Sequence, residues 1–320
     1  MQRRALLAVG LAMPCIARAQ GQYPERPIRL VVAWPPGGGA DTPARLVAPH
    51  MARVLGHPLV IENRGGASGA IGTGVVAQAA PDGYTLLADT SSFVTNSLTV
   101  PGLGYDSEKA FTPVCKVVDS PLLLVCRPDY PARTLAELLD RIRTEGGKLP
   151  YASSGNGAGT NLATVVLLQR AGLSATHVVY RGGAQSVLGV LGGETVFTFS
   201  TLPQATPLVR EGRLRALAVG TAQRIAALPE VPTVAEQGWP GFAWSEMLGF
   251  HLPAGSPPEA ARRLAAATED ALRQREVQDR LGQIGMIPAF LGPEAFAAEM
   301  AGHRQTIRGL LASGALQRDA

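Results

Sequence analysis

Two glycine-rich turns, each between a predicted strand and a predicted helix, are the segments of this chain best suited to bind an anion. The first, Gly37-Gly38-Gly39, follows the apolar run Leu30–Trp34, and the second is Ser153–Thr160, with the sequence SSGNGAGT. Glycine leaves the backbone amides open to an approaching ligand. Helix N-termini add unpaired amides and a partial positive charge, which stabilise a carboxylate or phosphate. A tight strand-to-helix connection without a ligand has the same pattern.

The residues after the first turn predict how its helix begins. Asp41 or Thr42 is expected to cap a helix that has Pro43 in its first turn and ends at Gly56. We expect Asp41 to cap the helix or fix the turn more than to contact a ligand, because its carboxylate repels an anion. The turn lacks both the Gly-Lys-Ser/Thr of a nucleotide P-loop and the glycine and acidic spacing of a dinucleotide site.

Hydroxyl side chains offer a second kind of chemistry. Thr90-Ser91-Ser92 follows a predicted strand, where parallel sheets bind ligands, although a solvated loop has the same composition. A secreted serine hydrolase using Ser68, Ser153 or Ser154 is the alternative function. None of these serines has the G-x-S-x-G spacing of a nucleophile elbow, and no His or Cys pair has metal-ligand spacing. The sequence therefore predicts neither a metal nor a cofactor.

The elements that must position these turns alternate regularly. Strands and helices form a β-α-β-α-β series from Tyr23 to about Val118 and a second alternating series from about Leu122 to Trp244. This order is typical of mostly parallel, doubly wound sheets. Three amphipathic helices are predicted at Pro257–Arg273, Glu276–Gly282 and Pro293–Ser313, and we expect them to pack onto the first lobe.

The first twenty residues have the pattern of an export signal. Arg3 and Arg4 precede the apolar run Ala5–Ile16, and Ala17-Arg18-Ala19 predicts cleavage near Ala19, by the Sec or the twin-arginine route. No later segment is long and apolar enough to insert into a membrane. The net charge of +4 falls to about +1 without the three signal arginines, so nucleic acid is not an expected partner.

Two cysteines remain after Cys15 is removed with the signal. If Thr112–Val118 and Leu122–Arg127 form a hairpin, Cys115 and Cys126 face each other, and an oxidising compartment permits a disulfide. The alternative is two small buried hydrophobic side chains.

Several phrases, taken together, resemble one protein family, the extracytoplasmic solute-binding proteins of tripartite tricarboxylate transporters, also called the Bug family. The resemblance covers nearly the whole mature chain. The phrases are YPERPIRLVVAWPPGGGADTPARL, VIENRGGASGAIGTGVVAQAAPDGYTLL, YASSGNGAGTNLA, YRGGAQSVLGVLGG, GRLRALAVGTAQRIAALPEVPTVAEQG and GFHLPAGSPPE.

The resemblance implies an α/β fold of the type II periplasmic-binding-protein class, with two doubly wound lobes joined by crossing strands and a ligand cleft between them. Lobe 1 is expected at residues 21–121 and 247–320, and lobe 2 at residues 122–246. The expected function is capture of a small organic carboxylate by a monomeric receptor, without enzymatic activity, and its delivery to membrane transporter subunits. A ligand sensor that feeds a signalling partner is the other binding function.

The family's clamp also implies a set of ligand-binding residues. They are Pro36, Gly37, Gly38, Gly39 and Asp41 in lobe 1 opposite Ser153, Ser154, Gly155, Asn156, Gly157 and Thr160 in lobe 2, with Thr90, Ser91, Tyr180, Arg181 and Ser200 lining the cleft. Tyr180 is equally compatible with a core position, and Arg181 with an exposed charge. Trp34, Phe93 and Trp244 are candidates for an apolar end of the pocket or for the core.

The chain departs from the family pattern beside the second turn. Asn161 stands where a histidine is common, Ala158 where a serine is frequent, and Ser200 where many members have an aspartate. These changes are expected to alter ligand preference, so no particular carboxylate is carried over.

Overall fold

The computed structural model describes residues 23–318. The predicted export signal at residues 1–20 lies outside the described residues. Among residues 23–318, no helix combines the length and apolarity needed to cross a bilayer.

The first part of the chain forms the parallel half of one sheet, as the alternating pattern predicts. Its elements are β1 (Ile28–Val32), α1 (Asp41–Leu55), β2 (Leu59–Asn63), α2 (Ala70–Ala77), β3 (Thr85–Thr90) and α3 (Ser92–Thr99). Strand β1 lies between β2 and β3 and is parallel to both. Helix α3 was not predicted, because its polar sequence SFVTNSLT has no clear apolar stripe.

The second alternating series forms a second parallel arrangement. Its elements are β4 (Phe111–Cys126), α4 (Leu135–Thr144), β5 (Pro150–Ser153), α5 (Gly159–Ala171), β6 (Thr176–Val179), α6 (Gly183–Gly192), β7 (Phe197–Thr201), α7 (Leu202–Arg210) and β8 (Arg215–Val219). Strand β5 pairs in parallel with β6 and β7. Thr134 caps α4, since its hydroxyl accepts a hydrogen bond from the Glu137 amide.

The chain then returns to the first sheet. The remaining elements are β9 (Ser245–Pro253), α8 (Pro258–Arg273), α9 (Arg275–Gln283), β10 (Ile287–Leu291) and α10 (Pro293–Ala312). Helix α8 packs on α1 and β4, and α10 packs on β4 and α3, as expected for helices that cover the first lobe. The last turns of α10 also reach α5, where Ile307 and Leu310 pack with Leu162 and Val165.

One long strand joins the two sheets. Residues 111–121 of β4 pair with β9, and residues 122–126 pair with β7 and β8. The predicted hairpin between Thr112–Val118 and Leu122–Arg127 is therefore wrong: Ser120-Pro121 continues a strand that crosses between the lobes. Pro121 is tolerated there, since the strand changes partners at that point.

The continuous strand β4 also decides whether the two cysteines can form a disulfide. Cys115 and Cys126 lie eleven positions apart on β4, which separates them by about 35 Å along an extended strand. Both are buried free thiols, in the cores of different lobes. They therefore match the alternative to a disulfide, two small buried hydrophobic side chains.

Helices cover both faces of the second-lobe sheet, which has a hydrophobic core on each face. Along β4, Leu122 and Leu124 point into one core of the second lobe, whereas Leu123 and Val125 point into the other. This alternation is the period of two expected of a strand between helical layers. The first lobe has its own contiguous core around β1, β3, α1 and α8.

Candidate functional site

A cavity of about 190 Å³ lies between the two lobes, where the carboxyl ends of the strands meet the following helices. Lobe 1 supplies residues of the first glycine turn and Thr90. Lobe 2 supplies the start of α6, two residues of the second glycine turn, and the β7–α7 junction. The lining residues are Trp34, Pro35, Pro36, Gly38, Gly39, Ala40, Thr90, Ser154, Thr160, Arg181, Gly182, Gly183, Ala184, Gln185, Thr201, Gln204 and Glu246.

The first glycine turn is held open by Asp41. Gly37 has a φ of +77°, which favours glycine, and its amide donates to Asp41 Oδ2 at 2.8 Å. Asn63 and Arg45 donate to the same carboxylate at 2.7 and 2.8 Å. Burial opposes ionisation of Asp41, but these hydrogen bonds outweigh it and keep its pKa below the ordinary value.

Asp41 therefore fixes the turn, which confirms the turn-fixing role predicted for it. The predicted capping role is wrong: α1 has Ala40 at its N-cap, with no side-chain hydrogen bond. The helix N-terminus consequently stays open. Within residues 23–318, the amides of Gly38, Gly39 and Ala40 have no hydrogen-bond acceptor.

The start of α6 presents a second set of open amides to the same cavity. Gly182 has a φ of +148°, and the helix begins at Gly183. Within residues 23–318, the amides of Gly183, Ala184 and Gln185 have no acceptor. Two helix N-termini from different lobes thus point into one cavity, which suits an anion.

Sequence reasoning assigned no ligand role to these α6 residues. The segment Tyr180–Gln185 has the same strand–glycine–helix pattern as the two turns that were singled out, and that repetition is the signal that identifies it. Only its first two residues, Tyr180 and Arg181, were named as cleft residues. Thr201, Gln204 and Glu246 were also missed, because isolated polar residues near element ends carry no local motif.

The second glycine turn is mostly occupied by contacts within the protein. Ser154 and Thr160 line the cavity, and their hydroxyl oxygens lie 2.9 Å apart. The Gly157 amide donates to Asn161 Oδ1 at 3.0 Å. The Gly159 amide, which opens α5, donates to Glu246 Oε1 at 3.3 Å. An internal carboxylate therefore holds this helix N-terminus.

Glycines of this turn also permit the lobes to approach each other. A Cβ on Gly155 would lie 2.2 Å from Ser68 Oγ of lobe 1, and one on Gly157 would lie 2.5 Å from Thr95 Cγ2. Gly155 and Asn156 line a neighbouring cavity of about 320 Å³ that shares Trp34 and Arg181 with the first.

The other predicted residues have varied positions. Ser91 is buried beneath Glu246, with 3.5 Å between Ser91 Oγ and Glu246 Oε1. Tyr180 donates to Glu194 Oε2 at 2.8 Å and borders the neighbouring cavity. Ser153 and Ser200 are fully buried, and neither lines the cavity between the lobes.

Of the three aromatic candidates, Trp34 lines the cavity. Its indole Nε1 donates to Asp89 Oδ1 at 2.8 Å, which fixes the ring as a wall. Phe93 stacks on His251 in the lobe 1 core, with 4.1 Å between ring centroids. Trp244 packs against the second-lobe core that contains Leu122 and Leu124.

Two buried carboxyl groups belong to the site: Glu246 lines the cavity, and Asp89 is bonded to the lining residue Trp34. Asp89 accepts hydrogen bonds from Trp34, Thr73 and the Thr90 amide, yet burial raises its pKa to about 6. Glu246 lines the cavity and is 5% exposed, and burial is the largest cause that raises its pKa to about 7. Arg181 is the other charged residue of the lining, and its side chain is exposed.

Of the three serines in the hydrolase alternative, Ser153 has a histidine beside it but has no access to this cavity. Ser153 Oγ lies 2.6 Å from His177 Nε2, but Ser153 has no exposed surface, and its hydroxyl donates to the Gly155 carbonyl at 3.0 Å. A serine enclosed in this way cannot attack a substrate in the cleft.

Comparison with known proteins identifies one family. A model described as the tripartite tricarboxylate transporter family receptor matches residues 43–297. The solved structure of the periplasmic binding protein BugD is 30% identical, with a TM-score of 0.85 over 93% of this chain and 100% of that one. Two solved Rhodopseudomonas palustris proteins are also similar, both at 30% identity. Rpa4515 with adipate has a TM-score of 0.88 over 93% of this chain and 100% of its own, and MatC with bound malate has 0.83 over 90% and 99%.

Proposed function

The chain belongs to the tripartite tricarboxylate transporter receptor family, and from that membership we propose that it captures a small carboxylate in the interlobe cavity and delivers it to a tripartite transporter. It has the two-lobed fold of periplasmic binding proteins and is a solute-binding protein, not an enzyme. The observation that carries the ligand class is the pair of open helix N-termini, from α1 and α6, that face one cavity.

The chemistry of these termini suits a carboxylate. Each presents several amide N–H groups that have no acceptor within residues 23–318, so an anion placed there gains charge-assisted hydrogen bonds. A charge-assisted bond contributes about 1.5–3 kcal/mol. Because the donors are backbone groups fixed by helices, little side-chain entropy is lost when the ligand binds.

The arrangement of the cavity between two lobes also supports a receptor function. Its donors come from both lobes, so a ligand that contacts both sets binds the closed arrangement better than the open one. We assign residues 21–121 and 247–320 to lobe 1 and 122–246 to lobe 2. This division places the crossing at Pro121, where β4 changes partners, and at the start of β9, whose residues pair with β4 from Ser245 onward.

The ligand-binding set that we propose combines predicted and newly identified residues. Of the predicted set, Pro36, Gly38, Gly39, Thr90, Ser154, Thr160 and Arg181 line the cavity. We add Gly183, Ala184, Thr201, Gln204 and Glu246, and assign Gly37 and Asp41 to shaping the first turn. We further propose export to the periplasm, cleavage near Ala19 and a monomeric receptor.

Thermal unfolding of the mature chain, from Gln20 onward, tests this function. The panel contains mono-, di- and tricarboxylates, each with its neutral primary amide or methyl ester as control. A ligand at a hundred times its Kd stabilises the folded state by about 2.7 kcal/mol, which raises Tm by several degrees. A shift with acids and none with their neutral analogues supports the proposal. No shift with any acid, or equal shifts with the esters, contradicts it.

A further inference from the structure

Glu246 places an acidic side chain in the wall of the cavity, next to the N-terminus of α5. It is the second residue of β9, directly beside the point where the chain crosses between lobes, and it pairs with Ser120 of β4. Its side chain lines the cavity although only 5% of the residue is exposed. An acidic group in the wall of a carboxylate-binding cavity is unfavourable for an anionic ligand unless it has a partner in that ligand.

The protein itself satisfies only part of this carboxylate. Oε1 accepts from the Gly159 amide at 3.3 Å and lies 3.5 Å from the Ser91 hydroxyl, and the Thr90 hydroxyl also favours the charged form. A carboxylate has about four acceptor positions, so further donors can be accommodated. Among the interactions of residues 23–318 there is no hydrogen bond or ion pair between Glu246 and Arg181.

Glu246 also decides where a ligand carboxylate can sit. The N-terminus of α5 already holds Glu246 Oε1, which leaves the open amides of α1 and α6 for the ligand. A second ligand carboxylate beside Glu246 would face a like charge, whereas a hydroxyl or ammonium group there would donate to it.

We propose that Glu246 is a specificity-determining residue that selects small carboxylates carrying a hydrogen-bond donor, a hydroxyl or an amino group, in addition to the carboxylate held by α1 and α6. This inference rests on the proposed carboxylate-binding function and narrows its ligand class.

Isothermal titration calorimetry at pH 8 tests the selection with matched ligands. The hydroxyl probes are malate against succinate and 3-hydroxybutyrate against butyrate, and the amino probe is aspartate against succinate. The wild-type chain is expected to prefer at least one donor-bearing partner by about tenfold or more, the range of one charge-assisted hydrogen bond. Comparison of malate with aspartate shows which donor Glu246 takes.

The variant Glu246→Gln removes the charge and keeps the shape. We expect the preference to fall to about threefold or less, while the Kd for succinate stays the same or improves. Glu194→Gln, which removes an exposed acid that bonds Tyr180 outside the cavity, is the matched control and should retain the full preference.

A pH series on the wild-type chain keeps the test independent of whether the variant folds. Because Glu246 has a pKa raised to about 7, the donor preference should be lost between pH 8 and pH 6. The charged groups on neighbouring elements are Asp89 on β3, Asp119 on β4 and Arg181 across the cavity. Asp119 is paired with Lys116 at 2.8 Å, and α3 and the first turn of α5 bring no charged side chain.

The outcomes separate the two proposals. Carboxylates that bind without any donor preference, or a preference that Glu246→Gln leaves intact, overturn the role of Glu246 while the binding function stands. A wild-type chain that binds no carboxylate at all overturns both. Donor preference that is present at pH 8 and lost in the variant supports the selection.

Discussion

Gly39 offers the sharpest test of how the lobes close, because the residue opposite it belongs to the other lobe. A Cβ on Gly39 would lie 2.9 Å from Thr201 Cγ2. Carbon atoms in contact prefer about 3.5–4.0 Å, so an alanine at Gly39 overlaps the threonine methyl by about 0.6 Å or more. The backbone of Gly39 does not have a positive φ, so alanine is not strained for any other reason.

The overlap arises only when the two lobes are together. Overpacking of this kind costs about 1–3 kcal/mol, and separated lobes do not incur that cost. We therefore expect Gly39→Ala to weaken carboxylate binding roughly 5- to 150-fold, from the tenfold change that accompanies each 1.4 kcal/mol. The Tm of the ligand-free protein should change little if the lobes part readily.

A second substitution should reverse the effect. Thr201→Ser removes the methyl group in conflict and keeps the hydroxyl, which lies 3.0 Å from Gln204 Oε1. The double variant Gly39→Ala/Thr201→Ser is expected to bind within about threefold of Thr201→Ser alone. Gly302→Ala in α10 is the control, because its Cβ would meet nothing within 4 Å and Gly302 lies outside the cavity.

Calorimetry with the best carboxylate of the panel gives the Kd of the wild type and of each variant, and thermal unfolding of each ligand-free variant reports on the fold. Normal binding by Gly39→Ala would refute the closed arrangement of β7 against the first turn. So would a double variant that stays as weak as the single one.

Three further predictions concern stability. Glu246→Gln should raise the free energy of unfolding relative to the wild type by on the order of 3 kcal/mol as pH rises from 4.5 to about 7, because the raised pKa of Glu246 means that its ionisation inside the fold is unfavourable. Urea unfolding at pH 5 and pH 8 measures this difference. A difference that does not change with pH contradicts the prediction. Thr134→Ala should lower the free energy of unfolding by about 1 kcal/mol through loss of the α4 cap, with Kd unchanged; an equal urea midpoint would show that the cap contributes nothing. Cys115 and Cys126 should react with a thiol reagent only after unfolding, and a reductant should leave Tm unchanged; a reductant-sensitive Tm would contradict two buried free thiols.

The sequence predicted the alternating elements well because their signals are local. The apolar run Leu30–Trp34, which prolines end, matches β1 to within two residues, and strands and helices alternate in both predicted series. The chain length and the two alternating series already indicated two lobes, and the family resemblance added the crossing strands and the ligand cleft between them.

The hairpin error shows where local signals fail. Ser120-Pro121 has turn composition, but β4 continues through it because each half of the strand has its own partners in a different lobe. Strand pairing is a property of distant residues, and it overrode the local propensity.

The site was only partly predictable for a related reason. The first glycine turn was found from its own residues, and it lines the cavity. Glu246, by contrast, is an acidic residue in an apolar strand, and its role comes from the α5 N-terminus and Ser91, which are far away in the sequence. Spacing alone cannot show that the second turn's helix terminus is already occupied.

Removal of one backbone amide tests the central claim, that open helix N-termini hold the ligand carboxylate, more directly than any side-chain change. Ala184→Pro deletes the N–H of the second residue of α6, a position where proline is tolerated and where α7 of this chain already has Pro203. Ala184→Gly, which keeps the N–H, is the matched control. In calorimetry we expect Ala184→Pro to weaken carboxylate binding roughly 10- to 150-fold, the value of one charge-assisted hydrogen bond, with Tm preserved and Ala184→Gly close to wild type. Binding by Ala184→Pro that equals the wild type would contradict the account.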